Sequence, residues 1–137
     1  IVGYPGETDE DFKELYDLIN EVQFDRLGVF TYSEEEGTFA AKQLEDNVPQ
    51  QVKYDRMDQI MLLQQDISYE KNQQLIGSTQ KILVDQNIDS NESLGRTFRD
   101  SPEVDNIFSV DGTFPVGEFI EAKVVSASEY EVICTVN

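Results

Sequence analysis

The sequence predicts an α/β segment followed by an all-β barrel. Three observations carry this reading: two apolar extended stretches flank an amphipathic helix near the start, one uninterrupted helical pattern follows, and beyond Gly77 the apolar spacing changes from helical to alternating. Ile1-Val2-Gly3-Tyr4 reads as a buried strand and Pro5-Gly6-Glu7-Thr8 as the turn that leaves it. A βα crossover exists to return the chain to the same sheet, so this strand calls for parallel neighbours. No methionine start or leader precedes Ile1, and the partner strands are expected upstream, in a longer protein.

Thr8-Asp9-Glu10-Asp11 has the form of a capping box, a hydroxyl followed three residues on by an acid. Phe12, Leu15, Tyr16, Ile19 and Val22 recur at helical spacing against Lys13, Glu14, Asp17 and Glu21, which predicts one amphipathic helix over residues 9–23. Arg26-Leu27-Gly28-Val29-Phe30-Thr31-Tyr32 reads as the next strand. Strand, helix and strand in this order mark a parallel α/β sheet or barrel. The loop Ser33-Glu34-Glu35-Glu36-Gly37-Thr38 then falls at the carboxyl edge of that sheet, where ligands usually bind. Its three glutamates could meet a basic substrate, although a solvated acidic loop is the simpler account.

After Asn47-Val48-Pro49, residues 50–76 place Val52, Met57, Ile60, Met61, Ile67 and Leu75 among many polar residues without an internal Gly or Pro. This predicts one helix of about 25 residues, about 38 Å long, leading to Gly77 and out of the first domain. The alternating stretches 80–87, 93–99, 106–110, 118–127 and 130–136 are candidate strands, with Asp111-Gly112 and Ser128-Glu129 as turns. Five short strands predict a small closed antiparallel barrel of OB type. The domains are therefore expected at 1–76 and 77–137.

Composition narrows the function. With 28 acidic and 10 basic residues the formal charge is -18, which disfavours nucleic acid, because a polyanion is held chiefly through Lys and Arg. A basic partner fits better. Residues 1–69 hold 16 acids and 5 bases and residues 70–137 hold 12 and 5, so the acidity belongs to both parts. No apolar run is long enough to cross a bilayer, so a soluble protein without a membrane partner is expected. Cys134 is the only cysteine and histidine is absent, so no disulfide, Cys/His metal site, iron-sulfur site or histidine base can be built from this segment. Cys134 shares a pleat face with Val132 and Val136 and is expected in the core.

Three blocks carry a family resemblance. Ile1-Val2-Gly3-Tyr4-Pro5-Gly6-Glu7-Thr8-Asp9-Glu10-Asp11-Phe12 resembles the IVGFPGET segment of the radical S-adenosylmethionine methylthiotransferases, with Tyr4 where phenylalanine is common. Residues 24–33 with Glu35-Glu36-Gly37-Thr38 are similar to that family's next strand and loop, in the form found in its RimO branch. Glu34 and Phe39 depart from it, standing where proline is frequent. Gly95-Arg96-Thr97-Phe98-Arg99-Asp100-Ser101-Pro102-Glu103-Val104-Asp105 resembles a segment of the carboxyl-terminal TRAM domain of the same branch. The resemblance covers essentially the whole chain.

The resemblance implies that residues 1–76 are the last part of a radical S-adenosylmethionine (β/α) barrel and residues 77–137 a TRAM barrel. It also implies a cytoplasmic parent enzyme with S-adenosylmethionine and two 4Fe-4S clusters, none of whose cysteine ligands is present here. Family members cleave S-adenosylmethionine to a 5′-deoxyadenosyl radical and install a methylthio group on the β-carbon of an aspartate in the basic small-subunit ribosomal protein numbered twelve. This segment alone is then inactive, with no catalytic residue and no metal ligand. By the same carry-over Gly3, Pro5, Gly6, Glu7, Phe30 and Tyr32 border the cofactor, against the plainer account that they shape a turn and a core. The charge balance points to Glu103, Asp105 and Glu118 as the surface that meets the ribosomal protein. Arg96, Phe98 and Arg99 form the local cluster that suggests RNA instead. Two alternatives stay open: a tRNA methylthiotransferase of the MiaB type, and a non-enzymatic acidic interaction module.

Overall fold

A computed structural model describes residues 1–102 and 104–136. The chain divides into two compact units, Ile1–Gln64 and Gln65–Asn137, and the division falls within the longest helix.

In the first unit, α1 spans Asp9–Val22, as its capping box predicts: Thr8 accepts from the Asp11 amide and Asp11 accepts from the Thr8 amide. The Thr8 amide first, and then the Thr8 hydroxyl, which donates to Asp11 Oδ2 at 2.7 Å, hold the Asp11 carboxyl below its usual 3.8. Gln23 ends the helix in the left-handed region at φ 52°, its amide bonded to Ile19 O at 2.9 Å. The two expected strands shrink to one parallel bridge, Val2 to Thr31. The Val2 amide donates to Phe30 O at 2.9 Å and the Tyr32 amide to Val2 O at 2.7 Å. The parallel sense is the one predicted, but residues 26–32 are not a strand. Among the described residues no third segment joins the pair, and with Gly28 and Phe30 both exposed the stretch has no buried face to hold a ladder.

A short helix the sequence reading did not anticipate, α2 over Phe39–Gln43, starts where the Thr38 hydroxyl accepts from the Ala41 amide. Next comes α3, Gln50–Leu75, within one residue of expectation. Its buried side is a surprise. Ile60 and Ile67 are buried as expected, but Met61 is exposed, and the rest of the inward stripe is Lys53, Arg56, Gln64, Ser68 and Asn72.

The second unit is a closed barrel in the order β1-β2-β3-β5-β4, with β1 Thr79–Asn87, β2 Glu92–Arg96, β3 Ile107–Asp111, β4 Phe119–Ala127 and β5 Glu131–Thr135. Four pairs are antiparallel, but β3 and β5 run parallel, with Phe108 opposite Val132 and Val110 opposite Cys134. The closed OB-type barrel is as expected, and its antiparallel pairing is broken at this one pair. Strand direction cannot alternate all the way round a ring with an odd number of members, so five strands must close on one parallel pair. The alternation of β4 is as read: Ala122 and Val124 are buried, while Glu121, Lys123 and Val125 face out. Ile82, Phe108, Val110, Ala122, Val124, Val132 and Cys134 form the core. Burial pushes the Cys134 thiol up to about 11, so it behaves as a small core residue; Val136 beyond it is 40% exposed and lies outside that core. A Cβ on Gly95 would stand 2.3 Å from Leu83 O, so the close approach of β2 to β1 requires glycine there.

The last turns of α3 are tied to this barrel. Asn72 Nδ2 donates to Ser128 O at 2.9 Å and Glu129 O at 3.1 Å, Asn106 Nδ2 donates to Asn72 Oδ1 at 2.8 Å, and Gln73 Nε2 donates to Ala127 O at 2.6 Å.

Candidate functional site

The turn after Val2 is built around two glycines in the left-handed region, Gly3 at φ 74° and Gly6 at φ 90°. Gly3 leaves no room for a side chain: an added Cβ would stand 2.3 Å from Lys53 Cγ. Its amide is taken by the Glu7 carboxylate at 2.9 Å, and the Gly6 amide by Asn47 Oδ1 at 2.8 Å. Glu7 also receives Arg56 Nη1 at 2.6 Å, while Arg56 Nη2 reaches Asp9 Oδ1 at 2.8 Å. The guanidinium is buried, and the Glu7 side chain is only 13% exposed. Lys53 is buried as well. Its Nζ lies 2.5 Å from Asp46 Oδ2 and 3.4 Å from Tyr32 O, and 5.0 Å from the centre of the Tyr32 ring.

Two cations three residues apart on α3 therefore hold both segments that the sequence assigned to a cofactor. Lys53 holds the end of the second segment, and Arg56 the turn after the first. Beside the turn lies a recess of about 300 Å³, lined by Gly6, Glu7, Asp9, Asn47, Pro49 and Arg56 among others.

The predicted cofactor residues divide under this geometry. Gly3 and Glu7 are committed to neighbours within the protein. Pro5 and Gly6 form the outer turn, with nothing within 4 Å of a Cβ on Gly6. Phe30 is 74% exposed. Tyr32 packs edge-on to Tyr4 at 5.3 Å, and partial burial, then the charges of Glu34 and Asp46, raise its phenol above 10.0. Pro5, Gly6 and Phe30 are thus open at the surface, whereas Gly3 and Glu7 are taken up by contacts within the protein. Lys53 and Arg56 were missed because polar residues on a helix carry no hydropathy signal, and Asp46 and Asn47 because they lie in the loop before α3 and meet their partners only in the folded chain. The spacing of Lys53 and Arg56 was the one available clue. Among the described residues, no group of three or more His, Cys, Asp or Glu could hold a metal ion, and no helix is long and apolar enough to cross a membrane.

On the barrel, Asp105 Oδ2 accepts from the Ser101 amide at 2.7 Å, within the loop that follows β2. Glu118 is exposed in the turn before β4, its carbonyl accepting from the Val84 amide at 3.0 Å. These two predicted contacts sit on different loops, and Glu103 lies outside the described residues. The post-β2 loop is pinned by Thr97, whose hydroxyl donates to the buried Asp100 at 2.5 Å, and it displays Phe98 at 88% exposure with Arg99 5.1 Å from its ring. A second such pair, Lys81 over Phe119 at 4.6 Å, bridges β1 and β4. Arg96 is bound to Asp85 at 2.5 Å at the edge of a 310 Å³ cleft that also includes Gly95, Asn106 and Ile107.

The barrel is of the TRAM class, for the sequence profile of the TRAM domain matches residues 76–136. Over nearly its whole length the chain also resembles three proteins named ribosomal protein uS12 methylthiotransferase RimO. That of Phocaeicola vulgatus is 43% identical across 99% of this chain, that of Bacteroides thetaiotaomicron 45% across 96%, and that of Vibrio cholerae 44% across 96%. This likeness runs through both units of the chain, beyond the residues that the TRAM profile matches. The chain spans about a third of the length of these curated relatives, 32%, 31% and 28% in turn.

Proposed function

We propose that the chain is the carboxyl-terminal part of an enzyme that methylthiolates the β-carbon of an aspartate in ribosomal protein uS12. The observation that carries this is the likeness to uS12 methylthiotransferases along both units, not along the barrel alone. The parent's cofactors on this reading are S-adenosylmethionine and two 4Fe-4S clusters, ligated by cysteines outside these residues. When bound, S-adenosylmethionine supplies the species that removes hydrogen from the target carbon. This chain's own residues provide the frame: Pro5, Gly6 and Phe30 present an apolar edge to the adenosyl group, with Tyr32 behind them. The barrel meets the substrate. A net excess of seven acids over bases in residues 70–137, 12 against 5, attracts a basic ribosomal protein and repels a polyanion. Glu103, Asp105 and Glu118 are the proposed contacts, and a cytoplasmic location follows from a ribosomal substrate.

The test uses the full-length protein with its clusters reconstituted, offered uS12 and tRNA separately. Gain of one methylthio group on a uS12 aspartate is expected, and modification of tRNA in place of uS12 overturns the reading. Reversing the charges of Glu103, Asp105 and Glu118 together should weaken uS12 binding at low salt; unchanged affinity rejects the proposed surface.

A further inference from the structure

We infer that Arg56 and Lys53 are positioning residues for cofactor binding in the parent enzyme, acting through the turn at residues 3–7 and the Tyr32 segment without touching the cofactor. This rests on the reading that those segments border S-adenosylmethionine. The argument starts from Glu7. Its carboxylate does two things at once: it accepts from the Gly3 amide at 2.9 Å and from Arg56 Nη1 at 2.6 Å. The first bond closes the turn on itself, and the second fastens the closed turn to a rigid helix. Arg56 Nη1 also reaches the Glu7 carbonyl at 3.3 Å, and its other terminal nitrogen reaches Asp9 at the head of α1. One planar guanidinium thus sets the angle between the turn and the helix it starts, a task suited to a rigid fork and poorly suited to a lysine.

Lys53, one turn earlier on the same buried stripe, does the equivalent for the other segment. Its stem fills the space over Gly3, and its ammonium is shared between Asp46, the Tyr32 carbonyl and the Tyr32 ring. The two segments themselves are joined by only one parallel bridge. Their relative placement therefore depends on α3 more than on sheet pairing. A buried cation is costly unless paired; Arg56 is paired with Glu7 of the turn and Asp9 at the head of α1, and Lys53 with Asp46 and, more distantly, with the Tyr32 carbonyl. Displacing the turn strips Arg56 of its buried carboxylate, and displacing the Tyr32 segment strips Lys53 of a carbonyl and a ring face, so both movements are resisted.

The experiment compares full-length wild type with Arg56→Lys, Arg56→Gln and the double variant Glu7→Gln/Arg56→Gln. Two readouts are used: hydrogen exchange of the peptide covering residues 1–8, which needs no cofactor, and the split between KM for S-adenosylmethionine and kcat. Loss of a charge-assisted bond predicts about tenfold faster exchange of that peptide in Arg56→Gln and about a tenfold rise in KM with kcat little changed. Arg56→Lys, which keeps the charge and loses the fork, is expected to fall between. The double variant, which leaves no stranded carboxylate, should refold the turn but not restore KM. Barrel peptides over residues 119–127 should exchange as in wild type throughout. Unchanged exchange of residues 1–8 and unchanged KM in Arg56→Gln overturn the inference. If that variant does not fold, the same result in Arg56→Lys overturns it. A wild-type protein that neither binds S-adenosylmethionine nor modifies uS12 overturns the proposed function instead, and exchange of residues 1–8 still decides whether the clamp exists.

Discussion

Replacing Asn72 with alanine should destabilise the barrel more than any other single polar truncation on α3. The side chain is 1% exposed, and it makes three bonds that reach outside its helix: to Ser128 O, to Glu129 O and from Asn106. At about 0.5–1.5 kcal/mol net for each bond, their loss costs roughly 2–4 kcal/mol. Alanine is the better helix former and returns about 0.6 kcal/mol. Hydrogen bonding wins, and a net loss of about 2–3 kcal/mol remains. For a unit of this size that corresponds to a fall in Tm on the order of 10 °C. The assay is urea unfolding followed by the NMR amide signals of Val124 and Val132, with Gln74→Ala, at an exposed site on the same helix, as control. A midpoint for Asn72→Ala equal to that of Gln74→Ala would refute the claim that α3 is stapled to the barrel through this residue.

Three other outcomes are expected. Cys134, its thiol pushed up to about 11 by burial, should resist thiol reagents at pH 8 in the folded protein and react on unfolding. Because its folded value lies above the usual 9.0, the stability it contributes is full below pH 9 and is lost as pH rises toward 11; a flat stability curve over that window contradicts this. Asp11 behaves in the opposite sense, since Thr8 lowers it below 3.8: its contribution is present above that pH and fades below it, seen as faster amide exchange in the first turn of α1, and Thr8→Ala, which removes the hydroxyl but keeps the larger backbone bond, should weaken the pH dependence without abolishing it. Gly95→Ala must push its Cβ against Leu83 O and should cost about 1–3 kcal/mol in urea unfolding, whereas no measurable cost would mean that β2 and β1 lie further apart.

Much of this architecture was legible because its signals are local. The capping box at Thr8 and Asp11 sits within four residues, and the alternation of Ala122 and Val124 with Lys123 and Val125 sits within one strand. The candidate site was only half legible. The turn residues were found through the resemblance, but Gly3 and Glu7 belong to the protein's own framework, and the residues that hold them were not found at all. Hydropathy ranked Met61 above Lys53 and Arg56 as an inward residue of α3. The ranking failed because each buried cation has a carboxylate waiting for it, Asp46 or Glu7.

Nearest-neighbour chemistry alone was enough for the start of α1, the turn at Pro5 and Gly6, the barrel strands and the inert Cys134, since each depends on residues a few positions apart. Tertiary structure alone decided which strand pair closes the barrel in parallel and how little of residues 26–32 pairs as sheet. It also decided that Arg56 meets Glu7 across 49 positions and Asn72 meets Ser128 across 56. Burial of a polar group is decided by its partner, and a partner that distant is chosen by the folded geometry.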